Sequence, residues 1–496
     1  MATSVERVDV AVIGAGFGGL ACALRLAEAG AKVALFERLT YPGGCASTFK
    51  RRGYRFEAGA TLFSGFGEGQ LFREWMDRYD LDVEFQQLDP VVRLRTGRFE
   101  LDVPPHRDRF IERFCKLPGA PKERLRKFFA WQEKVADALW ELFDDPTLLP
   151  PLSAGALFRH LGRSPKYLPL VPIVGKSVGE VLRRWELWDF GPLRSYLDAV
   201  CQITVQASAD EAEAPFALGA IDYFFRGTGH IRGGIGELAF ALTDTIEALG
   251  GQVFFADAVA RLEREGTGWK VVSRRRELLA DKVVTNLLPQ NVAEMLGRPV
   301  DEHPKLAGLA ERVAGGWGAA MLYLGIDGDA DIPTKSYHVE MVGDLGEPFI
   351  EGNHIFCSVG GADEPNRAPD AQRVATVSTH VDMHKLLALE PNRRGEYISW
   401  IQGRMRDLLA RRAPEIAEAV VFEMTASPRT FARFTNRKDG FVGGIPRRAG
   451  LHNYRQMWPV EVEGGLYLVG DTVFPGQSTL AVALGGVRVA DTIYRG

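Results

Sequence analysis

Three glycines and one acid near the start of this sequence are spaced for one kind of chemistry. Gly14, Gly16 and Gly19 stand in G-x-G-x-x-G order, and Glu37 follows 18 positions after the last of them. Gly14 permits a tight exit from a strand, and Gly16 lets backbone approach a pyrophosphate with no Cβ in the way. Gly19 lets a helix pack closely on the strand. Glu37 can accept hydrogen bonds from an adenosine ribose and disfavours a 2′-phosphate, so FAD or NAD is expected here rather than NADP.

These residues need a scaffold, and their neighbours predict one. The β-branched run at 8–13 reads as a buried strand, Leu20, Leu24 and Ala27 mark one face of a helix, and 31–36 reads as a second strand ending at Glu37. Strand, glycine turn, helix, strand, acid is the context that makes the glycine pattern specific. The helix N-terminus adds unpaired N–H groups and about half a positive charge toward a pyrophosphate.

The chain is 496 residues long, enough for two or three cores. Its 46% hydrophobic and 25% charged content is ordinary for a globular protein, and a net charge of −4 gives no reason to expect a nucleic-acid partner. Five scattered cysteines without a C-x-x-C point away from disulfides and zinc, toward a reducing, cytoplasmic setting. No basic and apolar leader precedes the first strand, and no apolar run approaches 18 residues, so no signal peptide or membrane span is expected.

After Glu37, "YPGGCASTFKRRGYRFEAGATLFSGFGEG" reads as an ordered loop crossing a ligand. Residues 70–230 read as mostly helical. A helix at 235–249, a strand at 252–255, a small β-meander to about 280 and a strand at 282–287 restore α/β character. Residues 317–460 read as strands with one clear helix near 396–412, and the chain ends in a buried strand, an Asp, a loop and a helix.

Other candidates each have a plainer reading beside them. Gly234-x-Gly236-x-x-Ala239 fits a second dinucleotide turn, but no buried strand precedes it and no acid ends the next strand, so a helix-capping role is expected. His380 and His384 lie four apart, but the context reads as strand and no metal site is expected. Cys45 is either a reactive thiol or, as expected, a small packing residue. No nucleophile signature is present, and no catalytic residue is assigned. A bound cofactor would then carry the chemistry.

Taken together, "VIGAGFGGLACALRLAEAGAKVALFERLTYPGGCASTFKRRGYRFEAGAT", "GGIGELAFALTDTIEALGGQVFFADAVARLE" and "LYLVGDTVFPGQSTLAVALGG" resemble the FAD-dependent oxidoreductases related to the bacterial phytoene desaturases. That family also includes carotenoid isomerases, carotenoid 3,4-desaturases and retinol saturases. The resemblance implies FAD, with Gly14, Gly16 and Gly19 at its pyrophosphate and Glu37 at its adenosine ribose. It implies that Arg38, Gly43, Gly44 and Thr61 line the path toward the flavin and that Val259 meets the adenine side. Gly470 and Asp471 would face the pyrophosphate or ribityl chain. Many relatives read F-D-x-G-P where this chain has Phe56-Glu57-Ala58-Gly59-Ala60.

The fold expected is therefore α/β: a Rossmann-type FAD-binding domain with an inserted mixed α+β substrate domain and a helical region suited to membrane docking. Its FAD-binding parts are expected at 1–75, 231–300 and 461–496, the helical region at 76–230 and the substrate domain at 301–460. The family implies a carotenoid or similar isoprenoid polyene as substrate. The expected reaction is desaturation, with a hydride passing from substrate carbon to flavin N5. Redox-neutral cis–trans isomerisation and saturation are the alternatives. A flavin amine oxidase shares the N-terminal fingerprint, but only Tyr467 and Tyr494 are tyrosines in the last 40 residues, which gives no aromatic-cage signature.

A lipid substrate requires a membrane surface as partner. "PTLLPPLSAGALFRHLGRSPKYLPLVPIVGK" mixes apolar residues with Arg159, Arg163, Lys166 and Lys176, and reads either as a peripheral docking segment or as a Pro-rich excursion packed on the substrate domain. Without a second nucleotide site, oxygen or a membrane quinone is the expected electron acceptor.

Overall fold

The computed structural model describes residues 6–364 and 366–495. Its first sheet is built from distant parts of the chain. The strand Glu6–Ile13 lies between Val33–Phe36 and Glu277–Thr285, and Gln252–Phe254 and Leu466–Leu468 continue the parallel pairing outward on the two sides. In chain order this is 3-2-1-4-5, the doubly wound Rossmann arrangement, in which ligands bind where the order reverses beside strand 1. Both faces are covered. Val10 and Val12 pack toward the helices Phe17–Glu28, Ile235–Ala248 and Thr479–Arg495, while Ala11 and Ile13 face the other core. Two-sided burial explains why the first strand reads as an apolar run.

The expected meander is Val259–Glu265, Gly268–Ser273 and the start of Glu277–Thr285. The separate strand expected at 282–287 is the second half of that last strand, which ends at Thr285.

A second sheet of seven strands runs in the order Val420–Ala426, Trp317–Asp327, Gln372–Asp382, His354–Val359, Tyr337–Val342, Val92–Arg95, Glu100–Val103. The last two form a hairpin within 70–230, a stretch that is otherwise mostly helical, as expected. Their alternation was legible: Val92, Leu94, Leu101 and Val103 are buried, while Arg93 and Asp102 pair on the other side at 2.5 Å. The helix Arg394–Arg412 packs on this sheet, and the helices Lys122–Asp144, Gly191–Thr204 and Ala214–Ile221 form a third core beside it. No helix among the described residues is long and apolar enough to cross a membrane.

Candidate functional site

A cavity of about 580 Å³ runs from the glycine turn, at the C-terminal ends of the parallel strands, to the helices and the second sheet. At its nucleotide end the first helix starts at Gly16 with no side-chain cap, so its first N–H groups are left for a ligand. Gly14 adopts φ +95°, and its N–H donates to the Phe36 carbonyl at 2.8 Å. Glu37 is buried in the wall and accepts N–H bonds from Ala15 at 3.0 Å and Leu39 at 2.8 Å. Burial pushes its carboxyl up, and the two backbone donors pull it back toward the ionised form. The carboxylate lines the cavity and keeps acceptor capacity that a hydroxyl of a bound ligand could use.

The structure separates the roles of the glycines. Gly14 and Gly16 line the cavity, and Gly19 does not. A Cβ on Gly19 would lie 2.0 Å from the Gly14 carbonyl oxygen, so Gly19 allows the helix to approach the turn and does not itself reach a ligand. Gly43, at φ +109°, donates its N–H to the Ala15 carbonyl at 2.7 Å and brings the second loop against the first. Arg38, Gly44, Thr61, Val259, Gly470 and Asp471 all line the same cavity.

Arg437 and Asn286 are among the wall residues that escaped the sequence reading. Arg437 holds Asp471 at 2.9 Å and also donates to the Phe441 carbonyl. Asn286 follows the strand Glu277–Thr285, and its side chain lies against Gly16, Gly18 and Gly470. Its place at the end of a parallel strand beside strand 1 was the available signal. For Arg437, nothing local marks it. The donor set at this end fits an adenosine pyrophosphate: an uncapped helix N-terminus, a glycine cradle, and a buried acid with spare acceptor positions.

Beyond the turn the cavity becomes an apolar chamber lined by residues such as Trp140, Phe143, Phe216, Met321, Phe356 and Ile445. Among the described residues, the only acids in the lining, Glu37, Asp257 and Asp471, belong to the nucleotide end. The one tyrosine in the lining, Tyr223, donates its hydroxyl to the Leu62 carbonyl at 2.7 Å.

The Gly234 turn is filled by protein. Glu57 accepts the Ile235 N–H at 3.1 Å, and Thr48 accepts the Gly236 N–H at 2.8 Å. Glu57 also accepts the Thr48 hydroxyl at 2.9 Å. A carboxylate therefore caps the helix where a phosphate would sit in a dinucleotide turn. Burial pushes that carboxyl up, while Arg367 opposes the shift. The departure at Glu57 thus concerns how the helix Ile235–Ala248 begins.

His380 ends up on the strand Gln372–Asp382, and His384 on the helix Met383–Ala388. Among the described residues no three His, Cys, Asp or Glu side chains are grouped as a metal centre. Cys45 is in the cavity wall, but burial pushes its thiol up despite Arg437 nearby, as suits a packing residue.

The segment 146–176 forms a short turn at Pro146–Leu148, the helix Ala154–Tyr167 and the turns after it. Leu157, Phe158, Leu161, Leu168 and Val171 are exposed, Phe158 by 75%. This excludes the packed excursion for those side chains, although Leu170 does pack against the helical core. The cations are less free than the sequence suggests. Arg159 pairs with Asp145 at 2.7 Å, and Arg163 and Lys166 both pair with Glu141. These acids come from the preceding chain, outside the segment's own composition.

A sequence profile described as an NAD(P)-binding Rossmann-like domain matches residues 12–79. The chain is 26% identical to prolycopene isomerase 1, chloroplastic, of an Oncidium hybrid cultivar, over 98% of this chain and 84% of that protein. It is also 26% identical to the human all-trans-retinol 13,14-reductase, over 53% of this chain and 43% of that one. A putrescine oxidase variant superposes with a TM-score of 0.63 at 15% identity, covering 99% of this chain and 100% of the other, and shares the fold.

Proposed function

From its resemblance to a prolycopene isomerase over 98% of the chain and to a retinol 13,14-reductase over 53% of it, we propose that this protein is an FAD-dependent oxidoreductase acting on a carotenoid or related isoprenoid polyene. The observation that carries the reading is the continuity of the cavity, from a dinucleotide-binding end into an apolar chamber with no carboxylate. An amine substrate is a cation, and among the groups lining the chamber none is an acid to hold it.

The residues fit FAD. The N–H groups at Gly16 to Gly18 would hold its pyrophosphate, Glu37 its ribose, and Asp471 with Arg437 the chain leading to the ring. The start of the helix Thr479–Arg495, which also lines the cavity, would present its remaining N–H groups to the ring end, the Ala481 N–H being taken by the Ser478 hydroxyl at 3.1 Å. When bound, the flavin supplies two-electron redox chemistry at carbon. The protein's share is to hold the polyene in line and keep water out. A charge developing on a conjugated chain is delocalised, so shape and positioning carry the catalysis.

Desaturation is the reaction we propose, with oxygen or a membrane quinone as acceptor. The Gly234 turn, closed by Glu57, offers no second dinucleotide cradle. Isomerisation is the second reading, favoured by the name of the relative matched over 98% of the chain. The two part on the mass of the product. Incubation with candidate carotenoids in liposomes, with and without oxygen, yields a product two hydrogens lighter for a desaturase. An unchanged mass with shifted retention, seen only after flavin reduction, assigns an isomerase. No change with any polyene overturns the reading.

The substrate prefers a bilayer to water by about 0.8 kcal/mol per methylene-sized group, so delivery requires membrane contact. The exposed face of the helix Ala154–Tyr167 supports peripheral docking there. Leu451, itself exposed, lies beside Gly175 near the end of the same segment.

A further inference from the structure

We infer that Ser378 and His380 form a hydrogen-bonding anchor in the wall of the chamber, which holds an oxygen function on the polyene and so decides which bond reacts. The inference rests on the polyene reading above. The two residues alternate along the strand Gln372–Asp382, so their side chains leave the same face of the sheet, and both line the cavity. Their cross-strand neighbours are apolar: Met321 and Phe356 stand opposite Ser378, and Ala319 opposite His380. Thr379 between them turns the other way, donating its hydroxyl to the His354 carbonyl at 2.7 Å.

Among the described residues, neither the His380 ring nitrogens nor the Ser378 hydroxyl has a protein hydrogen-bond partner, and none of these atoms is sealed off by its neighbours. The ring beside His380, Trp317, lies edge-on at 6.1 Å, and its own N–H is committed to the Gln206 carbonyl at 2.8 Å. Burial, reinforced by His354, brings the His380 imidazole down to about 3 and keeps it neutral at physiological pH. A neutral imidazole offers one N–H donor and one bare acceptor, and a serine hydroxyl offers both. Together they match a hydroxyl or a carbonyl. A hydrocarbon end would leave the same atoms dry and unpaired, and sites built to bond a hydroxyl discriminate most strongly against the analogue lacking it.

The test compares a hydrocarbon carotenoid with its terminally hydroxylated counterpart of the same carbon skeleton, bound in micelles and read by quenching of tryptophan fluorescence. The proteins are the wild type, His380→Phe, His380→Gln and Ser378→Ala, each checked for flavin content and melting temperature. The wild type is expected to bind the hydroxylated polyene about tenfold more tightly, a factor typical of one or two buried hydrogen bonds. His380→Phe should remove that preference, Ser378→Ala should reduce it, and His380→Gln should retain part of it because an amide also donates and accepts. Equal binding of both polyenes by the wild type overturns the anchor alone, as does an unchanged preference in His380→Phe. Failure of the wild type to bind either one overturns the anchor together with the polyene reading.

Discussion

The guanidinium of Arg437 stands 2.9 Å from the carboxylate of Asp471, joining the end of the helix Pro428–Thr435 to the loop after the strand Leu466–Leu468. Gly444 lets these segments come together, since a Cβ there would lie 2.0 Å from the Asp471 carbonyl oxygen. Both side chains are largely buried, so removing one partner strands the other. Arg437→Met is expected to cost about 3 kcal/mol in urea unfolding and to lower flavin content. The double variant with Asp471→Leu should lose less stability than the two single losses added together.

Gly19→Ala should abolish flavin retention without touching a ligand. Its Cβ would sit 2.0 Å from the Gly14 carbonyl oxygen, and the helix must shift off the turn. Visible absorbance per polypeptide measures this. Gly308→Ala, in the helix Pro304–Ala314 with nothing near the new methyl, is the control and should leave flavin content unchanged.

The cap at Glu57 makes a separate claim. Glu57→Ala leaves the Ile235 N–H and the Thr48 hydroxyl without their acceptor and leaves Arg367, 3.5 Å away, without that charge partner. The expected loss is about 2–4 kcal/mol by thermal or urea unfolding. Glu57→Gln, which retains one acceptor oxygen, should lose less. Equal losses for the two would show that the second acceptor and the charge matter as much as the remaining oxygen.

Burial pushes the Asp198 carboxyl up to about 6 from an ordinary 3.8. Below pH ~4 the group is protonated in the folded and unfolded states alike, and its contribution to stability is fully present. As pH rises through 6 the folded protein must ionise a buried acid, and that contribution is lost. Asp198→Asn keeps an oxygen for the Ala209 N–H, now 2.8 Å from the carboxylate. It should therefore raise stability at pH 7.5 by up to about 3 kcal/mol and change little at pH 4. Melting curves across that range check the sign.

Replacing Leu157, Phe158 and Leu161 with Ser should reduce flotation with anionic liposomes several-fold while leaving the melting temperature within a few degrees, because these side chains are already exposed. Undiminished flotation removes this helix from the docking surface. Because Arg159, Arg163 and Lys166 are paired with acids, added salt should weaken binding less than loss of the apolar side chains does.

The nucleotide end was legible because its requirements are local. A tight turn, a close helix and an acid at a strand end each demand a residue type at a fixed offset, and Gly14, Gly16, Gly19 and Glu37 meet those demands within 24 consecutive residues. The cavity lining also includes Arg38, Gly43, Gly44, Thr61, Val259, Gly470 and Asp471, which the family resemblance had singled out. The hairpin Val92–Arg95 and Glu100–Val103 carried a readable alternation, but its partner strand, Tyr337–Val342, lies more than 200 residues away, so nothing nearby in the sequence marked it as part of a sheet.

By itself the sequence determined a Rossmann-type turn with an acid at the end of its second strand and the α/β class of both chain ends, since backbone conformation and periodicity are short-range properties. Only the tertiary structure decided the rest. It set Arg437 against Asp471, closed the Gly234 turn with Glu57, and turned Ser378 and His380 into a chamber free of carboxylates. Those relationships depend on which distant segments share a wall, and that is fixed by packing two sheets and a helical layer around a common cavity.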